Sequence, residues 1–137
     1  MCYQKDIKSY IPECPCCELS PEREIIIDTP TAFAIYDKYP VSRGHALIIP
    51  KDHRDDYFDL TPEQQRACWS LVNIVKSIIE EKYQPDGFNI GVNINSAAGQ
   101  TISHVHIHLI PRYTGDVKEP LGGVRSVIPE KRDYYKL

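Results

Sequence analysis

The sequence predicts an α+β domain: an antiparallel five-stranded sheet with one long helix, preceded by a short N-terminal helix or irregular segment. Three observations carry this reading. Five short apolar or alternating runs are separated by turn residues. One long stretch after Thr61 repeats apolar residues at helical spacing. The length of 137 residues, with 42 % hydrophobic and 26 % charged residues, suits one packed core. Residues 1–137 are thus expected to form a single domain, with an irregular lead-in over 1–22 and a tail over 113–137.

The elements follow in order. Ile25-Ile26-Ile27 and Ala32-Phe33-Ala34-Ile35 mark strands over 24–28 and 31–36. The turn residues Asp28-Thr29-Pro30 between them predict a hairpin. A loop over 37–44 carries Pro40 and Gly44, and a third strand, His45 to Ile49, ends at Pro50. Thr61 is placed to cap a helix, with Pro62 at its first position and Gln64 completing a capping box. Ala67, Leu71, Ile74, Val75, Ile78 and Ile79 form its apolar face, and Pro85 and Gly87 stop it. Two alternating runs, Phe88 to Ile94 and His104 to Ile110, supply the last strands, joined by Ser96-Ala97-Ala98-Gly99-Gln100.

Composition narrows the function. Sixteen basic residues against 19 acidic ones give a net charge of −3, which disfavours a broad or specific nucleic-acid footprint. The longest apolar runs are about four residues, against the roughly 20 that span a bilayer, so no membrane partner is expected. The start, Met1 to Asp6, lacks the apolar region of a signal peptide, and a cytoplasmic location is expected. The five cysteines are odd in number and clustered. That pattern points to reduced thiols or metal ligands rather than a disulfide framework.

The most informative segment is His104-Val105-His106-Ile107-His108-Leu109-Ile110. As a strand it places three imidazoles on one face, about 6.5–7 Å apart, with Val105, Ile107 and Leu109 in the core. Solvated faces usually mix Lys, Glu and Thr, so three histidines ask for chemistry. Two chemistries fit. Three histidines can ligate a hydrolytic zinc. Alternatively, one imidazole can attack a phosphate ester near neutral pH without a separate base. Gly99-Gln100-Thr101 just upstream suits an oxyanion, and Asn93 can add an amide donor. No magnesium ligand set is evident.

The run Gly99-Gln100-Thr101-Ile102-Ser103-His104-Val105-His106-Ile107-His108-Leu109 resembles the signature of the histidine triad (HIT) family of nucleotide hydrolases and transferases. Gly44-His45-Ala46-Leu47-Ile48-Ile49-Pro50-Lys51-Asp52-His53 is similar to the family's second landmark. The likeness covers about residues 13–112. It implies an antiparallel sheet with helices, usually as a homodimer, and a nucleotide substrate. It further implies that His106 is the nucleophile at the α-phosphorus and forms a covalent nucleotidyl-histidine. His108 then contacts the phosphate or bridging oxygen, and His45 supports the nucleophile. Asn93, Gly99 and Thr101, with Gln100 alongside, match phosphate-binding positions, and Asp37 matches the residue that holds the ribose hydroxyls. Phe33 and Ile35, with Ile11, are candidates for base-pocket walls or for plain core. The flanks Ala98 to Thr101 and Pro111-Arg112 look closer to the dinucleoside polyphosphate-cleaving, fragile histidine triad branch. The same family includes adenosine phosphoramidases and dinucleoside polyphosphate phosphorylases. A nucleotide-binding regulatory protein is the reading from another class.

Cys14-Pro15-Cys16-Cys17 contains a Cys-x-x-Cys pair, Cys14 and Cys17. A redox pair of this kind should open a helix, which Ser20-Pro21 suits poorly. Two thiolates on zinc need two more ligands. The resemblance implies Cys14, Cys17, His53 and His104 as a structural zinc set, with Cys16 able to replace either thiol. Cys68 falls on the helix as core, and Cys2 reads as a free thiol. Lys51 and Arg112 flank the motifs, either meeting phosphates or solvated. Gly122-Gly123-Val124-Arg125 reads as a phosphate-facing loop or a turn into a strand that crosses to a partner.

Overall fold

The computed structural model describes residues 9–136. Cys2 and the polar start lie outside the described residues. The five strands are β1 (Ile25–Asp28), β2 (Ala32–Tyr36), β3 (Ala46–Pro50), β4 (Gly87–Val92) and β5 (Ile107–Arg112), with one long helix, α1 (Pro62–Tyr83). They form an antiparallel sheet in the order β1-β2-β3-β5-β4. The fold class and element count agree with the sequence reading.

The hairpin and the helix form as their residues dictate. Thr29 Oγ1 donates to the carbonyl of Ala32 at 2.7 Å and closes the β1–β2 turn. The Thr61 side chain accepts from the Gln64 N–H, and the Gln64 side chain accepts from the Thr61 N–H, so the capping box is complete. Helix α1 buries Cys68, Leu71, Val72, Val75 and Ile79. This face is rotated from the expected one. Ile74 is exposed and Val72 is core instead, while Cys68 is buried as expected. The reason is tertiary: the stripe that meets β2, β3 and β5 decides which apolar residues are covered.

Alternation gives the sheet two faces. Ala32, Ala34, Ala46, Ile48, Ile107 and Leu109 pack against α1. The small alanines let the helix lie close to the sheet. Phe33, Ile35 and Ile49 point to the other face, where the lead-in covers them with Cys14, Cys16 and Cys17. The lead-in has no helix among its described residues; it is a series of turns.

Two departures matter for the site. Strand β5 begins at Ile107 rather than His104. Pro50 has no N–H to extend the β3–β5 ladder, and its carbonyl accepts from His104 Nε2 at 2.7 Å. Val105 N–H donates instead to the Arg54 carbonyl at 2.8 Å. The tail over 113–137, whose turn-rich sequence predicts an extended segment, is also not extended among its described residues. It forms short 3₁₀ turns at Gly123–Val127, Pro129–Lys131 and Tyr134–Lys136. No helix among the described residues is long and apolar enough to cross a membrane.

Candidate functional site

One row of residues crosses the sheet on the face away from α1: Ile35 pairs with Leu47, Leu47 with His108, and His108 with Gly91. Ile35, Leu47 and His108 form the floor of a cavity of about 610 Å³. His45, His106, Asp37, Asn93, Gly99 and Thr101 also line it. The sequence placed these residues in one site, and the fold brings them together from the β2–β3 loop, the end of β4, the loop before β5, and β5 itself. Gly44 makes this possible next to His45. Its φ is +86°, and a Cβ there would stand 2.9 Å from Tyr83 Cδ2. Gly99 ends the 3₁₀ turn Ser96–Ala98 at φ +91°, which aims the loop at the cavity.

Gln100 is placed differently. It does not line the cavity; its amide braces the loop, donating to the carbonyls of Asp55 (2.8 Å) and Ile102 (3.0 Å). Its Oε1 accepts from the Asn95 N–H at 2.7 Å. Phe33 is core in the second cluster, Ile35 is a cavity wall, and Ile11 is exposed. Lys51 is buried with Asp28 at 2.6 Å, and Arg112 holds Asp116 and Asn89. Arg125 donates to the carbonyls of Lys131 and Arg132. None of these three cations lines the cavity.

The hydrogen bonds assign the imidazole protons. His106 Nδ1 lies 2.8 Å from the carbonyl of His104, which can only accept, so Nδ1 carries a proton and, in the neutral ring, Nε2 is the nitrogen with the lone pair. The Val41 N–H donates to His45 Nδ1 at 3.1 Å. His45 Nε2–H therefore donates, and His108 Nδ1 accepts it at 3.0 Å, with Asp37 Oδ2 at 3.5 Å from the same nitrogen. His108 is left with its Nε2–H as a donor. Burial pushes the His108 pKa down to about 4, helped by the neighbouring His106 and His45, so the ring is neutral near pH 7. Burial lowers His45 as well.

His104 belongs elsewhere. Its ring is fully buried, with Nδ1 3.3 Å from Cys14 Sγ and 3.5 Å from Cys17 Sγ. His53 Nδ1 lies 3.2 Å from Cys17 Sγ. The ligand atoms of Cys14, Cys17, His53 and His104 all lie within 4.8 Å of one another. A tetrahedral site with metal–sulfur bonds near 2.3 Å and metal–nitrogen bonds near 2.0 Å has S···N edges of about 3.5 Å, so the spacing fits. The surroundings fit too. His53 Nε2 meets Asp55 Oδ1 at 3.0 Å, and His104 Nε2 donates to Pro50, which leaves both Nδ1 lone pairs free. The N–H groups of Ile11 and Cys16 donate to the two sulfurs. Cys16 stands outside this set; its hydrogen bond to Cys14 and its burial push its thiol pKa up. These four residues can hold a metal ion. The three histidines of the triad do not converge on one point, which removes the observation behind a three-histidine metal site. His104 sits with the cysteines, His108 with Asp37 and His45, and His106 with neither group.

The sequence reading missed the lead-in wall. Pro15, Cys16, Glu18, Ser20 and Arg23 close one side of the cavity. A signal existed: Cys14 and Cys17 tied to His53 and His104 force the chain between them and β1 to pass over the cavity.

Comparisons with known proteins identify the family and the fold. Residues 19–115 match the family model described as HIT domain. A bis(5'-adenosyl)-triphosphatase of Dictyostelium discoideum is 37 % identical over 66 % of this chain, and the match spans 61 % of that relative, less than two thirds of its length. The solved structure of a HIT family protein from Bacillus anthracis aligns with a TM-score of 0.73 at 35 % identity, covering 77 % of each chain. A zinc-bound histidine triad family protein from Mycobacterium smegmatis aligns with a TM-score of 0.72 at 32 % identity, covering 78 % of this chain and 80 % of that one.

Proposed function

The chain belongs to the HIT domain family, and on that premise we propose that it cleaves nucleoside phosphate derivatives at the α-phosphate, dinucleoside polyphosphates foremost. The single observation that carries this reading is the placement of the His106 ring, which lines the cavity with its Nδ1 held by the His104 carbonyl, so that Nε2 is the nitrogen left for substrate. In the first step Nε2 forms a bond to the α-phosphorus, and the bond from phosphorus to the bridging oxygen breaks. The leaving group departs with the electron pair. In the second step water forms the new P–O bond, the P–N bond breaks, and the water proton passes to solvent. Splitting the displacement in two lowers each barrier. Asn93, Thr101 and the Gly99 turn donate to the non-bridging oxygens, Asp37 takes the ribose hydroxyls, and Ile35 and Leu47 face the base.

The leaving group follows from His108. A neutral imidazole with its pKa near 4 donates a hydrogen bond but gives up a full proton poorly. A polyphosphate departs as an anion and needs no proton. An amine does need one, so phosphoanhydrides suit this site better than phosphoramidates. The named activity of the Dictyostelium relative, a bis(5'-adenosyl)-triphosphatase, supports the same choice.

Zinc is the metal we assign to Cys14, Cys17, His53 and His104; it supplies a structural crosslink between the lead-in, the loop after β3 and the approach to β5. The free edge of β4, with Ile90 exposed, is the side we assign to a second copy in a homodimer.

Quenching a reaction with α-phosphate-labelled diadenosine triphosphate in alkaline denaturant, where a histidine P–N bond survives, tests the mechanism. Label on protein, base-stable and lost in His106→Asn, is the expected result, with turnover down by at least about 10³-fold. Turnover with no trapped label, or a variant that still turns over, rejects the covalent route. Nucleotide binding without any turnover points to a regulatory protein.

A further inference from the structure

The sheet face that carries His108 carries a second cavity, of about 350 Å³. Ser42, Asn89, Ile110, Arg112, Gly123 and Ser126 are among its walls. Val41 lines both cavities. Strand alternation shows that the two are consecutive. On β4 and its extension, Asn93 faces the first cavity and Asn89 the second, with Gly91 between them on the same face. On β5, His108 faces the first, and Ile110 and Arg112 the second. Gly91 is the register partner of His108, and no atom lies within 4 Å of where its Cβ would stand. The passage from the reacting phosphate to the second cavity is therefore bare floor.

We propose that the second cavity seats the far nucleoside of the leaving group, which reaches it over Gly91. The proposal rests on the phosphoanhydride reading above. The chemistry of the walls selects the nucleoside rather than the phosphates. Arg112 spends Nε and Nη2 on Asp116 and Nη1 on Asn89, and Arg132 donates to the Glu119 carbonyl. Arg112 is paired with Asp116, and the Asp116 and Glu119 carboxylates line the cavity together with the Arg112 and Arg132 guanidinium groups, so the lining carries no net charge and is no anion trap. It offers the Ser126 hydroxyl, the Asn89 Nδ2 donor and, as an acceptor, Ser42 Oγ, whose proton goes to the Pro111 carbonyl, beside the apolar Ile110 and Val117, a lining for an uncharged, planar, polar group. The spacing fits as well. Arg112 lies four residues beyond His108, about 13 Å along the strand, which leaves the phosphate chain to span the gap.

The test uses the metal-loaded full chain and two substrates that share the adenylate half. Diadenosine tetraphosphate leaves a nucleotide, and adenosine 5′-phosphosulfate leaves sulfate. Gly91→Phe puts bulk into the passage. Ser126→Trp fills the second cavity from an exposed tail residue and does not touch the first. Both variants should lower kcat/KM for the tetraphosphate by at least about tenfold, with the phosphosulfate value held within about twofold. Equal losses on both substrates in Ser126→Trp, or no loss on the tetraphosphate, overturn the proposal. A wild-type protein that turns over the phosphosulfate alone overturns this proposal and leaves the α-phosphate reading standing. One that turns over neither rejects both.

Discussion

The backbone carbonyl of His104 accepts the Nδ1–H of His106, while the His104 imidazole turns the opposite way to meet Cys14 and Cys17. One residue thus belongs to two sites. Its ring belongs to the Cys14, Cys17 and His53 group that can hold a metal ion, and its carbonyl holds Nδ1 of the neighbouring imidazole. Fixing the ring fixes the peptide, and the peptide fixes which nitrogen of His106 is free.

The cluster should carry one metal per chain. Cys17→Ala is expected to lose it, by elemental analysis, and to lower stability by more than about 2 kcal/mol, because it leaves buried His53 and His104 without their shared ligand. His106→Asn should keep full metal content. Equal stability and metal content in Cys17→Ala would refute the assignment.

Acid should destabilise the fold before most carboxylates titrate. The folded His108 pKa, about 4, is below its unfolded value of 6.5. Between these values the unfolded chain binds more protons, so the stabilisation is complete above about pH 6.5 and is lost as pH falls toward 4. Buried His45 adds in the same direction. After discounting for partial exposure, His108 contributes on the order of 2 kcal/mol. Urea midpoints measured from pH 7 to pH 4 should fall in the wild type and fall less steeply in His108→Asn. Parallel slopes would contradict the buried, neutral ring.

Gly44→Ala should cost about 1–3 kcal/mol, since it combines a left-handed φ with a Cβ 2.9 Å from the Tyr83 ring. Gly91→Ala, which meets no atom within 4 Å, is the matched control and should change the thermal midpoint little. Similar losses in both would mean that the local conformation at Gly44 is not what demands glycine.

Thr61→Ala removes the oxygen that accepts the Gln64 N–H. A loss of about 1 kcal/mol in the denaturation midpoint is expected, with activity unchanged. A much larger loss would implicate contacts beyond the cap.

Local chemistry was legible in the residues themselves. Thr61-Pro62 with Gln64 encodes a helix start through short-range hydrogen bonds, and the apolar runs encode five strands. The resemblance to the histidine triad family implied Cys14, Cys17, His53 and His104 as one ligand set and Asp37, His45, Asn93, Gly99, Thr101 and His106 as one substrate site, and each set comes together in the structure. Alternation alone put His104, His106 and His108 on one strand face, and there the sequence was not enough. Pro50 ends the ladder, the chain bends before Ile107, and the His104 ring parts from those of His106 and His108, which stay together at the cavity. Which stripe of α1 is buried, which side the lead-in covers, and that Gln100 braces a loop rather than the cavity were likewise decided by packing. These depend on contacts between residues far apart in the chain, which periodicity along a single segment does not encode.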